Sequence, residues 1–302
     1  MTQSKVRSVL PGVGFAIFTA LSFGGITPLA KLFLNDVQPW MLAGLLFLGG
    51  GLGLFPIYVI RNWFIRKQRQ PVAWQPNRLQ KRDWEWLSAS ILVGGIIAPV
   101  LLTLGLVHTA AASASLLLNF ECVFTALLAW TVFGERWQWQ VFVGMMAIVA
   151  GGIVLSHANN SGVGLTWGAL LILGTCFHWA LDSNFTSKVA KKDPIQVAML
   201  KSGVAGAVNV AIALLLGQSL PALPVLINVL GVGFLTSGLT LVCFVMALRY
   251  LGASRAGAYF ALSPFAGATV SALVLKEDIN TSLAIAAVLM AAGAVLCARI
   301  TD

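Results

Sequence analysis

The chain has 302 residues, 58% of them hydrophobic and only 10% charged, with mean hydropathy +0.88 and a net charge of +9. A soluble domain carries about 25% charge, so a water-clothed globule is excluded and the composition requires an integral membrane protein. The basic excess does not describe a nucleic-acid surface, because it is scattered over short loops between apolar runs, as orientation signals are.

A spanning helix needs about 20 apolar residues. Ten runs qualify, at about 11–34, 39–60, 84–106, 110–133, 138–156, 164–186, 195–217, 225–248, 253–275 and 279–299. They are continuous and far longer than the alternating segments of a barrel. The first follows a basic tip, Lys5 and Arg7. It exceeds the roughly 7–15 residues of a signal-peptide core and has no small-x-small cleavage site, so it reads as an uncleaved first helix. After the second run comes the loop 61–83, which carries seven basic residues. Trp63, Trp84 and Trp86 at its edges read as interface anchors.

With the N-terminus in the cytoplasm, that loop falls inside together with Arg136, Lys188, Lys191, Lys192, Arg249, Arg255 and Arg299. Only Lys31 and Lys276 fall outside, near helix ends. The asymmetry predicts an even number of passes with both termini cytoplasmic. Cys122, Cys176, Cys243 and Cys297 all lie in apolar runs and form no CxxC, which fits small buried hydrophobes rather than disulfides or metal ligands.

The chain repeats itself at an offset of 142. "AASASLLLNFECVFTALLAWTVFGE" (111–135) falls on "ASRAGAYFALSPFAGATVSALVLKE" (253–277), with Ala111 on Ala253, Ala126 on Ala268 and Glu135 on Glu277. Further on, "AGGIVL" (150–155) falls on "AGAVLC" (292–297). Each repeat then holds five passes, residues 1–158 and 159–302, and an odd number forces opposite orientations. Inverted repeats that enclose a central site are an architecture of secondary transporters. The expected fold class is an all-α membrane protein of ten transmembrane helices in two inverted five-helix repeats.

These two stretches, with their small-residue helix, polar or proline break, short acidic loop and Gly-rich closing helix, resemble the drug/metabolite transporter superfamily. The chain is similar to its ten-helix permeases with two EamA-type domains. The resemblance covers essentially the whole chain. It implies a plasma-membrane carrier of small metabolites, often an exporter, whose cavity is lined by the first four helices of each repeat. One departure stands out: Glu121-Cys122 in the first repeat faces Ser263-Pro264 in the second.

Glu121 sits near the middle of the fourth run. A carboxylate at mid-bilayer costs about 2.5 kcal/mol or more, so it should face a partner or a wet cavity. It reads either as a site for a proton or a cationic substrate group, or as a structural carboxyl hydrogen-bonded between helices. Asn119 reads as a helix–helix hydrogen bond. His178 and Asp182 are four apart and share a helix face. Lys201 enters the seventh run at similar depth from the same side, which predicts an Asp182–Lys201 pair; snorkelling to the surface is the other reading. Trp179 and Tyr259 are the aromatics chosen for the cavity wall, ahead of Phe260, Phe120 and Trp40. Pro28 and Pro264 are expected to bend their helices, and Pro56 to end one.

The functional expectation is a secondary transporter for a small metabolite, an amino acid or related compound by default, working by alternating access. Coupling stays open between protons, another solute and none. Partners are the small-molecule substrate and the lipid bilayer, with protons as the candidate coupling ion; the oligomeric state is not written in the sequence. No cofactor is expected, and no P-loop pattern is present for ATP hydrolysis. The alternatives are a carrier of cationic solutes or metal ions, and a channel. An intramembrane enzyme is disfavoured, since HExxH and GxSxG are absent.

Overall fold

The computed structural model describes residues 3–67, 79–132, 139–158 and 166–298. The centre of the basic loop, Glu135, Arg136 and Arg299 lie outside them. Among the described residues every regular element is helical, as hydrocarbon requires of a chain that must satisfy its own backbone.

The helices are α1 (Gln3–Gly24), α2 (Ile26–Phe33), α3 (Pro39–Lys67), α4 (Lys81–Ser90), α5 (Ala98–Val107), α6 (Ala111–Leu117), α7 (Phe120–Thr131) and α8 (Trp139–Ala158). The second part of the chain has α9 (Trp167–Val189), α10 (Pro194–Leu215), α11 (Leu223–Gly233), α12 (Thr240–Phe260), α13 (Ser263–Val274) and α14 (Thr281–Ala298). Two π-helical segments, Ile91–Ile97 and Phe234–Leu239, join α4 to α5 and α11 to α12 without a break. The repeat offset carries the end of the first, Ile97, onto the end of the second, Leu239.

Six stretches are long and apolar enough to cross a membrane: Pro11–Phe33, Pro39–Ile65, Lys81–Val107, Ala111–Leu128, Pro194–Leu215 and Leu223–Leu251. Trp139–Leu155, Ser263–Val274 and Thr281–Cys297 are shorter apolar helices. The protein is therefore a multi-pass, all-helical membrane protein.

Prolines mark most of the irregularities. Proline has no N–H to give the carbonyl four residues back. Pro28 therefore frees Gly24, where α1 stops and α2 begins two residues later. Pro264 frees Phe260, the last residue of α12. Pro99 frees Gly95 within the first π segment, and Asn209 from α10 supplies the missing donor: its Nδ2 lies 3.2 Å from the Gly95 oxygen and 3.3 Å from that of Ile96. In the second π segment, where no proline stands, Ser202 Oγ donates to the Ser237 carbonyl at 2.6 Å. Both donors stand on α10.

Three expectations are corrected. Pro56 does not end its helix, because α3 continues to Lys67. A proline costs that helix one bond, whereas stopping in hydrocarbon would strand several backbone groups. The loop expected near 249–252 is helical instead, since α12 runs through it to Phe260 and the break falls at 261–262. That stretch carries no proline, and Pro264 sets the break. Asn119 makes no bond to another helix but closes on its own chain, with Nδ2 2.9 Å from the Leu116 oxygen at the break between α6 and α7.

The helices pack in defined pairs: α3 with α10, α8 with α14, α6 with α13, α1 with α12 and α13, and α9 with α5 and α7. Small residues permit the closest approaches. A Cβ on Gly51 would lie 2.3 Å from the Gly203 Cα, and one on Gly206 would lie 2.2 Å from the Leu48 nitrogen. Such backbone-to-backbone contact replaces the hydrophobic drive that lipid does not provide. The four cysteines are free thiols.

Gly206→Ala is expected to cost about 1–3 kcal/mol through overpacking and to lower the thermal midpoint of the purified protein. Gly231→Ala, where nothing lies within 4 Å, is expected to leave that midpoint unchanged.

Candidate functional site

Asp182 and Lys201 face each other across α9 and α10. Lys201 Nζ lies 2.6 Å from Asp182 Oδ1 and 2.5 Å from Oδ2. Its third proton reaches Thr186 Oγ1 at 3.4 Å. Ser90 from α4 donates to Asp182 Oδ1 at 2.6 Å, and Thr186 does so at 3.2 Å. The lysine side chain is 3% exposed, so it does not snorkel, and its three donors are all used within the protein. Room for the carboxylate comes from Gly94 in the first π segment: a Cβ there would lie 2.1 Å from Asp182 Cγ.

Glu121 is the second residue of α7, just after the break that Asn119 closes. Its partner is Ser183 Oγ, one residue beyond Asp182, at 3.4 Å. Among the described residues it takes part in no ion pair.

A cavity of about 100 Å³ joins these groups. Glu121, Asp182, Ser183 and Lys201 line it, and they include every charged residue of its wall. The rest is mostly apolar. Trp179, Phe23, Phe260 and Phe244 form one continuous aromatic wall, with ring centroids 4.9, 4.9 and 5.5 Å apart in turn.

Of the residues expected at the site, the structure brings together Glu121, Trp179, Asp182 and Lys201. His178 is elsewhere, with Nδ1 2.8 Å from the Gly174 oxygen on its own helix, and Tyr259 packs in a small cluster with Phe15, Ala16 and Ala247. Neither lines the cavity. Phe260 does, although sequence reasoning set it behind its neighbour. Gly94 was missed altogether. Among the described residues no three His, Cys, Asp or Glu side chains are grouped to hold a metal ion.

Polar ties join the two halves of the chain at helix ends. The Glu277 carboxylate accepts from the N–H groups of Ala111 and Ala112, both at 2.8 Å, and so caps the start of α6. Elsewhere Arg61 binds Asp193 through both guanidinium nitrogens, and Lys192 lies 2.9 Å from Asp83.

The profile of the EamA-like transporter family matches residues 10–157 and 166–299. A curated relative from Methanothermobacter thermautotrophicus, described as an uncharacterized transporter, is 32% identical over 92% of this chain and 83% of its own length. A Salmonella typhimurium protein, described as a probable amino-acid metabolite efflux pump, is 32% identical over a shorter stretch, 28% of this chain and 29% of that one. A crystal structure at 19% identity superposes with TM-score 0.68, covering 98% of this chain and 99% of the other, and shares the fold.

Removing one partner of a buried ion pair costs about 3–5 kcal/mol, because the other charge is left uncompensated. Asp182→Asn and Lys201→Met are each expected to lower the melting temperature, and the double variant to melt closer to the parent than either single one.

Proposed function

The chain belongs to the EamA-like transporter family, and from that premise we propose that it is a secondary carrier. It moves a small metabolite, an amino acid or related compound, outward across the cytoplasmic membrane by alternating access, with Glu121 as the proton-coupling group. The observation that carries this reading is the cavity in which Glu121, from the first half of the chain, meets Asp182 and Lys201 from the second. Export rests on the efflux relative alone.

The architecture proposed with it is ten passes in two inverted repeats. The six long stretches, the three shorter apolar helices and α9 supply one helix or joined helix pair for each. Helix pairing supports the repeat. With passes numbered in chain order, the second, fourth and fifth pack on their own counterparts, the seventh, ninth and tenth. The first packs on the eighth and ninth, and the sixth on the third and fourth. Exchanging the halves leaves that set of contacts unchanged, as a two-fold relation demands. At the repeat offset the π segments and the breaks at 118–119 and 261–262 also correspond to within one residue. Both termini then lie in the cytoplasm, as the basic loops require. The alternative of a metal-ion carrier is left without support, because no ligand group is found among the described residues.

Comparing solutes released by cells with and without the protein names the substrate. In proteoliposomes that solute should show saturable counterflow, and an imposed pH gradient should drive its accumulation. Glu121→Gln is expected to lose the gradient-driven accumulation; accumulation as steep as in the parent rules out coupling through Glu121.

A further inference from the structure

We infer that the cavity selects an organic monocation: a small amine with an apolar body and no free carboxylate. The inference rests on the carrier reading and narrows its substrate class.

The charges of the wall decide it. Asp182 and Lys201 neutralise each other at 2.5 and 2.6 Å, which leaves Glu121 as the uncompensated charge of the cavity. A carboxylate in that position takes a proton or a cation, and a ligand ammonium supplies the cation.

Hydrogen-bond accounting points the same way. A hydroxyl has one proton to give and two lone pairs to offer. Four threonines line the cavity, and each gives its proton to its own helix: Thr19 to Phe15, Thr103 to Pro99, Thr236 to Val232 and Thr240 to Leu235, at 2.8–3.0 Å. Their lone pairs remain, so these hydroxyls can accept from a ligand but not donate to one. Ser183 gives its proton to Glu121. Lys201, the cation of the wall, has all three protons committed to Asp182 and Thr186. A ligand ammonium, which only donates, meets acceptors. A ligand carboxylate, which only accepts, finds the neutral donors of Ser237 and Trp179 but no cation with a proton to spare, and it shares the cavity with Glu121.

The aromatic wall suits the rest of such a ligand. The chain Trp179–Phe23–Phe260–Phe244 presents rings to an alkyl or aryl body, and ring faces attract an ammonium group where it touches them. An ordinary amino acid would fit its amine and its side chain and would strand its carboxylate.

Three probes that share an isopentyl body test this: isopentylamine, leucine and 4-methylpentanoate. Their binding to the full chain in lipid nanodiscs is measured by equilibrium dialysis, with empty nanodiscs as the partition control. The amine is expected to bind at least about tenfold more tightly than leucine, the size of one hydrogen bond to a charged group, and the acid not to bind. Glu121→Gln should lose the amine by a similar factor while eluting and melting like the parent. Asp182→Asn, which releases Lys201, should gain affinity for the acid. Leucine bound as tightly as the amine, or amine binding that survives Glu121→Gln, overturns the inference and leaves the carrier reading standing. Failure of all three probes to bind overturns it as well. Selective amine binding without counterflow of the amine keeps the inference and sinks the carrier reading.

Discussion

Inside hydrocarbon a polar group without a protein partner has none at all, and most of this structure follows from that constraint. Pro99 strips the Gly95 carbonyl of its helical donor, and Asn209 reaches across from α10 to replace it. In the second π segment Ser202, from the same helix, donates to the Ser237 carbonyl. The α3–α10 pair can sit close enough to deliver these donors because Gly51, Gly203 and Gly206 let the two backbones nearly touch. Small residues, freed carbonyls and buried donors are thus one arrangement. Removing Asn209 would leave the Gly95 carbonyl without this donor as surely as inserting a side chain at Gly206 would push the donor away.

The same constraint explains why the charged groups of the cavity are unequal. Asp182 receives Ser90, Thr186 and two contacts from Lys201, in a niche that exists because residue 94 has no side chain. That pair is closed and fully partnered. Glu121 has one long contact, to Ser183. At this depth a carboxylate so sparsely held is costly unless something else completes it. The repeat supplies no twin for it, since the offset places Ser263 opposite. An exchange of shapes between the halves would therefore move a single acidic group relative to the two ends of the cavity.

How much of this was legible in the sequence depends on the kind of signal. The multi-pass helical build was, because long apolar runs have few other uses. Glu121, Asp182 and Lys201 were, because charge in a greasy run is expensive and rare. The phase of a helix was not. In a soluble protein the polar face reveals which residues point inward, but here both faces of α9 and α12 are apolar. One step along a helix turns a side chain by about 100°, so Tyr259 was chosen where Phe260 lines the cavity, while His178 lies outside it and Trp179 within. Gly94 was invisible for another reason: what matters there is the absence of a side chain, and the chain contains 30 glycines. The break near 261 was misplaced because turn composition was sought between runs, whereas proline chemistry set it within one.

The ties between the halves differ in kind from the buried pair, and that difference bears on how a carrier of this build can move. Glu277 holds the first N–H groups of α6, Arg61 holds Asp193 at the start of α10, and Lys192 holds Asp83 at the start of α4. Apart from Arg61, which stands within α3, these groups belong to helix ends. If the halves part at one end, as alternating access demands, Lys192 and Asp83, each part-exposed, exchange one another for water, and the net cost of an ion pair that can be resolvated is small. Asp182 and Lys201 have no such exchange available at their depth. A motion that separated them would strand two charges, so α9 and α10 should travel together around the pair while the terminal ties open and close. The rigid unit and the labile contacts are then set by the same rule that placed the donors on α10: a polar contact is dispensable only where water can replace it.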